Sequence, residues 1–390
     1  MRYQAIGLIL FAAVTLGGAV SLARKNSPSI DLSTTNHFDT TCASLPSSSD
    51  ALENNRQRQA FVVCHDVALV KNIATYSREV SKDDQLRDYF RDEVKKALLR
   101  RKLGQIRDEL KNVRQVLEQI DLKESSGILI KPSSWQLDLN SDGEVEPWEK
   151  YFFAIPKRSS TEMQFRFPNG SEAYYQKEYN IGAEIYIDQS DISWALSYHY
   201  FVESLFETVL AYTINDGAQG VQVELADASA MKRAQELIVK GLKESDHTRK
   251  LVLAEKGDMN EWISSPLQKN SSFPLVLKSA DFAVWEVLMQ HLIPLFEGKT
   301  LIMSGSGARG LLGWFAKVCP EGSGLNISKL YESPPASLEG SDKEFEYLCQ
   351  LPDENRQPSG LIPFLAKYSE RIDQDSTAGA SMLKYLLWVN

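Results

Sequence analysis

Several features that would indicate a well-known activity are missing from this sequence. It has only four cysteines and five histidines in 390 residues, and its acidic side chains outnumber the basic ones, which gives a net charge of −9. A nucleic-acid-binding surface requires clustered basic residues, so this charge argues against a nucleic-acid partner. The sequence also contains no G-x-S-x-G elbow, no H-E-x-x-H pair and no Cys–His signature. The common hydrolase and zinc-protease motifs are therefore excluded.

One glycine-rich motif is present but lacks its usual context. The run G-S-G-A-R-G from Gly305 to Gly310 follows a strand-like segment at 300–303. A dinucleotide site needs this motif inside a βαβ unit, with a second strand ending in an acidic residue about twenty residues further on. Pro320, Gly322 and Gly324 occupy the span where that strand would form. We therefore predict no nucleotide site.

The four cysteines are Cys42, Cys64, Cys319 and Cys349. Their wide and uneven spacing fits no zinc or redox motif, which favours two disulfide bonds over a metal centre. Three pairings are possible, and the local pairs Cys42–Cys64 and Cys319–Cys349 require the least chain to be closed. The alternative is that some of these residues are free buried thiols.

The N-terminus predicts export. After Arg2 the segment Ala5–Ala23 carries no charge, and its end offers small residues at the spacing that export peptidases accept. We predict a signal peptide over residues 1–23, with an uncleaved membrane anchor as the alternative, since the run is also long enough to span a bilayer. Residues 24–55 are polar and without apolar period, which predicts a linker. The expected location is the periplasm or cell envelope.

Most of the remaining chain has helical periodicity. The fold class that this predicts is mainly α: an irregular multi-helix bundle with a few short strands, forming one domain over residues 56–390. Apolar residues recur at helical spacing in five segments: 55–80, 86–120, 192–212, 227–256 and 280–296. An alternating stretch at Ile185–Ile187 and a closing apolar segment at 382–389 are the other candidates for regular structure.

The predicted helix 86–120 contains a short heptad seam. From Leu103 its apolar residues are spaced by three and four residues in turn, as in a coiled coil. One interpretation is a surface for a protein partner or for self-association. The other is a long helix that packs on its own bundle, which the shortness of the seam favours.

The stretch on which the functional interpretation depends runs from Asp138 to Glu149 and reads D-L-N-S-D-G-E-V-E-P-W-E. It resembles the EF-hand calcium loop and matches the template of that family at every specified position. Gly143 stands where the loop turns sharply, and we expect Val145 to point into a core. The resemblance implies that Ca²⁺ is held by oxygens of Asp138, Asn140, Asp142, Glu144 (through its carbonyl), Glu146 (through a water) and Glu149 (bidentate). The alternative is a polar surface turn without an ion.

We expect the calcium to stabilise structure rather than to switch it. EF-hand sensors work in pairs and open two helices. This chain contains one complete loop, and the segment before it, K-P-S-S-W-Q-L at 131–137, has a proline and two serines that make a poor entering helix. The loop therefore lacks the second helix that a sensor would move.

A second set of polar residues offers a rival function. His199, Glu203 and Glu207 lie four residues apart and so share one helix face, and His291 on another helix could meet them. Such a cluster would suit a metal-dependent or acid–base hydrolase. The alternative, which we favour, is that these are buried polar groups with structural partners. Whether the chain is an enzyme is left open, with a non-enzymatic role preferred.

Three further segments carry a wider resemblance. They are I-S-W-A-L-S-Y-H-Y at 192–200, E-W-I-S-S-P at 261–266 and G-L-N-I-S-K-L-Y-E-S-P-P at 324–335. In this order after the calcium loop they resemble an uncharacterised family of exported bacterial proteins with one EF-hand-like loop in a helical body. The resemblance spans about 135–340 and implies a calcium-binding envelope protein without a known activity. The stretch 305–319 looks like an insertion relative to that family.

Overall fold

The structure is a computed structural model that confirms a mainly helical fold with few, short strands. The residues it describes are 30–81, 92–122, 127–155, 179–217, 220–257, 260–269, 272, 277–305, 318–338 and 342–373. The predicted signal peptide at 1–23 and the closing segment at 382–389 lie outside these residues.

The α-helices follow one another along the chain, with short 3₁₀ turns at Ser49–Ala51, Pro132–Ser134 and Asp342–Leu348. In chain order the helices are α1 (Thr35–Ser44), α2 (Asn55–Ser81), α3 (Glu93–Leu117), α4 (Pro147–Lys150), α5 (Gln189–Ala211), α6 (Ala228–Ala254), α7 (Ser279–Phe296), α8 (Lys329–Glu332) and α9 (Leu361–Asp373). None of these described helices combines the length and the apolar character that crossing a membrane requires.

The chain divides into two compact units. Among the described residues, the first unit comprises those up to 84 together with those within 111–196 and 247–282, and the second comprises those within 85–110, 197–246 and from 283 onward. The expectation of one domain over 56–390 stays a prediction.

The first unit has a core of large buried side chains. Trp135 is 1% exposed, its ring lies 4.9 Å from that of Phe38, and its indole N–H donates to the carbonyl of Leu32. Two short strands, β1 (Leu129–Ile130) and β2 (Ile185–Tyr186), pair antiparallel with Ile130 opposite Ile185. The alternating stretch at Ile185 therefore pairs with a distant strand, not with a neighbouring one in a hairpin.

The segment predicted as a polar linker, 24–55, contains helix α1. Thr34 caps this helix through a hydrogen bond from the backbone N–H of His37, and Phe38 is buried. The disulfide bond between Cys42 and Cys64 ties α1 to α2, as the sequence predicted. The cap, one apolar anchor and the covalent bond order a segment that has no apolar period of its own.

The second unit contains most of the sheet structure. An antiparallel hairpin joins β3 (Tyr212–Gly217) to β4 (Gly220–Leu225). A four-stranded sheet has the order β7-β6-β5-β8, in which β5 (Thr300–Met303) is antiparallel to β6 (Gly324–Leu325) and parallel to β8 (Gln357–Pro358). Cys319 and Cys349, the first residue of β7 (Cys349–Gln350), form the second predicted disulfide.

The heptad seam of α3 is buried toward its C-terminal end. Leu110, Val113 and Leu117 are at most 3% exposed, whereas Val94 near the start of the helix is 78% exposed. The C-terminal part of the seam therefore packs within this chain. Association with a partner or a second copy through helix 86–120 stays a prediction.

Candidate functional site

The loop 138–149 is built by short polar side chains that bend back onto its own backbone. The carboxylate of Asp138 accepts the N–H groups of Asp142 (3.1 Å) and Gly143 (2.9 Å). Asn140 Oδ1 accepts the N–H of Asp142 at 2.9 Å, and Asp142 Oδ1 accepts that of Glu144 at 3.1 Å. Side-chain oxygens that accept from a nearby backbone N–H are the usual device for a tight polar turn.

Two residues of the loop have left-handed backbone conformations. Gly143 has φ = 95° and Ser141 has φ = 58°. The glycine has no Cβ and takes this conformation at little cost, which explains its place at the sharpest point of the turn. The sharp turn that the sequence predicts at Gly143 is therefore present in the backbone.

Glu149 closes the loop through its own carboxylate. Its side chain is fully buried; Oε1 accepts the N–H groups of Leu139 (2.7 Å) and Asn140 (2.9 Å), and Oε2 accepts that of Glu146 (2.8 Å). A carboxylate oxygen has about two lone-pair sites, so Oε1 is filled by these donors and Oε2 retains one. Glu149 thus joins the start and end of the loop, an arrangement that differs from the bidentate ligand implied by the resemblance.

The remaining loop residues lie at the surface. Glu146 Oε2 accepts the side-chain N–H groups of Asn140 (3.1 Å) and Trp148 (2.6 Å). Val145 is 43% exposed, and Trp148 is 39% exposed. The expectation that Val145 points into a core is wrong, because the exiting helix α4 has only four residues and leaves this side of the loop facing solvent.

Helix α2 contacts the loop from one side. Thr75 Oγ1 lies 3.2 Å from Ser141 Oγ. Arg78 Nη1 donates to both the carbonyl and the side-chain Oδ1 of Asn140, each at 3.2 Å, and lies 3.6 Å from Asp142 Oδ2. A positively charged guanidinium therefore lies against two of the predicted calcium ligands.

The electrostatics of Asp138 favour its ionised form. Partial loss of hydration opposes ionisation, but the N–H groups of Gly143, Asp142 and Ser141 and the positive charge of Lys71 outweigh it and lower the pKa of Asp138 below its ordinary value. A carboxylate that stays charged and half-exposed is a suitable ligand for a hard cation.

The oxygen atoms of the loop are of the chemical type that binds calcium. Carboxylate and carbonyl oxygens are the ligands that Ca²⁺ prefers, and those of Asp138, Asp142 and Glu144 are at or near the surface. Among the described residues, however, the group that brings three acidic ligand atoms within 4.8 Å of one another lies elsewhere, at Asp188, Glu255 and Glu261. The carboxylates of the loop would thus have to draw closer together around an ion.

The residues of the rival hydrolase hypothesis have structural surroundings. His199, Glu203 and Glu207 are all buried on α5. Glu207 Oε2 accepts two hydrogen bonds from Arg233, at 3.1 and 2.8 Å, and Oε1 lies 3.5 Å from Arg107 Nη1. Two guanidinium groups therefore occupy the carboxylate oxygens of Glu207, as charge-assisted hydrogen bonds and a close charge contact.

His291, the fourth residue of that hypothesis, lies on α7. Its ring centroid is 6.2 Å from that of Phe364, and the ring also lies close to the backbone at Gly360. Within the described part of the chain, these four residues do not form a group of three converging ligand atoms. The hydrolase interpretation stays a prediction that the geometry does not favour.

The structure also reveals a partly buried acidic cluster at the start of α5. Asp188 caps this helix by accepting the N–H groups of Ser190 (2.7 Å) and Asp191 (3.1 Å), and Asp191 Oδ2 in turn accepts the N–H of Asp188. Glu255, just after α6, and Glu261 complete the cluster. We name these four residues, Asp188, Asp191, Glu255 and Glu261, the carboxyl cluster.

Burial and mutual repulsion raise the pKa of two members of the carboxyl cluster, Glu255 and Asp191. Burial, the negative charge of Asp188 and a hydrogen bond with the Asp188 side chain raise the pKa of Glu255 to about 9. Burial, together with the charges of Asp188, Glu255 and Glu261, raises the pKa of Asp191 well above its ordinary value. Like charges held close together in a poorly hydrated place cannot all ionise at neutral pH.

No sequence pattern joins the two aspartates of this cluster to its two glutamates. Glu255 and Glu261 are separated from them by more than sixty positions, and no spacing rule joins residues that far apart. Only the packing of the chain brings them together.

Comparisons with protein-family models, with curated proteins and with solved structures find no match to this chain, so its resemblances to the EF-hand and to an envelope family remain predictions.

Proposed function

We propose that this chain is an exported calcium-binding protein of the bacterial cell envelope, in which a calcium ion in the loop 138–149 stabilises the structure. The observation that carries the proposal is the loop itself: the hydrogen bonds from Asp142 and Gly143 to Asp138, and the left-handed Gly143, form a tight polar turn whose oxygens suit calcium. Two disulfide bonds support maturation in an oxidising compartment.

A stabilising role is supported by how the loop is attached. It follows a 3₁₀ turn (Pro132–Ser134) and an extended segment rather than an entering helix, and the exiting helix α4 has four residues. Glu149 already closes the loop through three backbone N–H groups. An ion bound here has no pair of long helices to open. Its effect is on the free energy of unfolding, about 2.7 kcal/mol when free calcium is a hundredfold above Kd.

The test compares two variants that lose the same charge in the same loop. Asp138→Asn removes the negative charge of a predicted side-chain ligand, whereas Glu144→Gln changes an exposed side chain whose residue is predicted to bind only through its carbonyl. We expect Asp138→Asn to weaken calcium binding at least tenfold, about 1.4 kcal/mol, and Glu144→Gln to change it by less than about threefold. Isothermal titration calorimetry with calcium chloride measures both.

Glu149→Gln is less suitable than these variants, because the fully buried Glu149 carboxylate accepts three backbone N–H groups, whereas the half-exposed Asp138 carboxylate accepts two. Terbium luminescence, excited through the nearby Trp148, provides an independent readout. Equal affinities for wild type and Asp138→Asn, or no binding by wild type at millimolar calcium, would overturn the proposal.

A further inference from the structure

We infer that Arg78 acts as an internal competitor of calcium, and that its guanidinium occupies ligand oxygens of the loop 138–149 and so lowers the affinity of the site. This inference rests on the proposed function, because it assigns a residue outside the loop the role of setting the affinity of that site. It adds a determinant that the loop sequence alone does not contain, since Arg78 lies sixty positions before the loop.

The contacts of Arg78 define the competition. Its Nη1 is 3.2 Å from Asn140 Oδ1, which also accepts the backbone N–H of Asp142 at 2.9 Å. Two donors fill the two lone-pair sites of an amide oxygen. The same guanidinium nitrogen lies 3.6 Å from Asp142 Oδ2. Arg78 must therefore leave Asn140 before this oxygen can bind an ion, and its charge next to Asp142 repels a cation while it remains.

When no ion is bound, Arg78 also stabilises the loop, as a bound cation would. Its bond to the Asn140 carbonyl at 3.2 Å and its charge beside Asp142 hold together two residues of an acidic loop. Its side chain is 32% exposed, so it can move into solvent without leaving a buried charge behind. A loop held in this way keeps its shape at low calcium and binds only where calcium is abundant, as it is outside cells.

Lys71 provides the matched comparison. It lies on the same helix, α2, and its positive charge acts on Asp138, but its side chain is exposed. Arg78→Gln and Lys71→Gln each remove one positive charge near the loop. Only Arg78→Gln frees an occupied ligand oxygen, so the difference between the two variants separates occupancy from general electrostatics.

The experiment is calcium titration calorimetry on wild type, Arg78→Gln, Arg78→Lys and Lys71→Gln. We expect Arg78→Gln to bind calcium about tenfold more tightly than wild type, in keeping with the loss of a hydrogen bond and a charge contact, and Lys71→Gln to change affinity less than about threefold. Arg78→Lys keeps the charge but lacks the planar fork, and should fall between wild type and Arg78→Gln.

Thermal melting in the absence of calcium provides a readout that does not depend on binding. We expect Arg78→Gln to melt below wild type without calcium and to gain a larger increase in melting temperature when calcium is added. Equal shifts in affinity for Arg78→Gln and Lys71→Gln, or no shift for Arg78→Gln while wild type binds, would overturn the inference and leave the proposed function intact.

The two remaining outcomes separate the inference from the proposed function. Binding by Arg78→Gln but not by wild type would support the competition and overturn the proposed function of the natural chain. Binding by none of the four proteins would overturn both.

Discussion

The carboxyl cluster makes a quantitative prediction about pH. The pKa of Glu255 is raised from an ordinary 4.5 to about 9 in the folded chain. A group whose pKa is raised on folding contributes stability that is fully present below its unfolded pKa, and this contribution is lost as the pH rises through its folded pKa. The free energy of unfolding should therefore decrease as the pH rises from about 5 to about 9.

The magnitude follows from proton counting. With its pKa raised, Glu255 keeps a proton in the folded chain between pH 6 and 8 that it loses in the unfolded chain, which corresponds to a loss of stability on the order of 1 kcal/mol per pH unit. Asp191, whose pKa burial also raises, contributes with the same sign. Asp188 and Glu261 are the charged neighbours that act on both groups.

Glu255→Gln isolates this effect, because glutamine has the shape of the protonated acid and can still donate to Asp188. The variant should show a slope of stability against pH that is flatter than that of wild type by on the order of 1 kcal/mol per pH unit. Urea unfolding followed by circular dichroism at pH 6, 7 and 8 measures the two slopes. Glu236→Gln, an exposed acid on the same helix α6, is the control and should keep the wild-type slope. Parallel slopes for wild type and Glu255→Gln would refute the reasoning.

Two further predictions concern calcium and the buried ion pair. Calcium should raise the melting temperature without increasing the binding of a hydrophobic dye, because the loop has no long helix pair to open. A calcium-dependent jump in dye fluorescence with little thermal shift would contradict a stabilising role. Glu207→Gln should cost about 1.5–3 kcal/mol, because Glu207 is a buried acceptor of charged hydrogen bonds from Arg233. Asp227→Asn, which removes a half-exposed charge from the same arginine, should cost less than about 1 kcal/mol; similar urea midpoints for the two variants would argue against a structural role for Glu207.

The helices were the most predictable part of the fold. The patterns at 192–212, 227–256 and 280–296 correspond to α5 (Gln189–Ala211), α6 (Ala228–Ala254) and α7 (Ser279–Phe296). The residues that limit these helices are local: Asp188 caps α5, and Gly298, with φ = 72°, follows the end of α7. Periodicity and caps are properties of neighbouring residues, so a sequence records them directly.

The sheets were less predictable, because their partners are distant in sequence. β5 pairs in parallel with β8, from Thr300 opposite Gln357 to Leu301 opposite Pro358. Strands of two to four residues leave too few positions for an alternating pattern to be recognised. The sequence does not predict the hairpin β3–β4 for a different reason: its first strand continues directly from α5, so no break marks where the helix ends.

The residues of the candidate site were predictable from the sequence, but their contacts with the rest of the fold were not. The template identified the loop and the place of Gly143, since both depend on residues within twelve positions. The template does not contain the contacts that the loop makes in the fold. Arg78 on α2 donates a hydrogen bond to Asn140, and the Glu149 carboxylate accepts a backbone N–H of the loop. A motif shows which oxygen atoms could bind an ion, and the fold determines which of them already accept hydrogen bonds.

The closure of the loop by Glu149 has a consequence for how this protein can change during evolution. Glu149 joins the start and the end of the turn through backbone N–H groups, so this closure does not depend on the proposed calcium ion. Substitutions at Asp138 or Asp142 would remove proposed ligands and leave the closure by Glu149 in place. Under the proposed function, single substitutions in the loop would therefore be enough to remove or restore the ion, without loss of the turn that Glu149 closes.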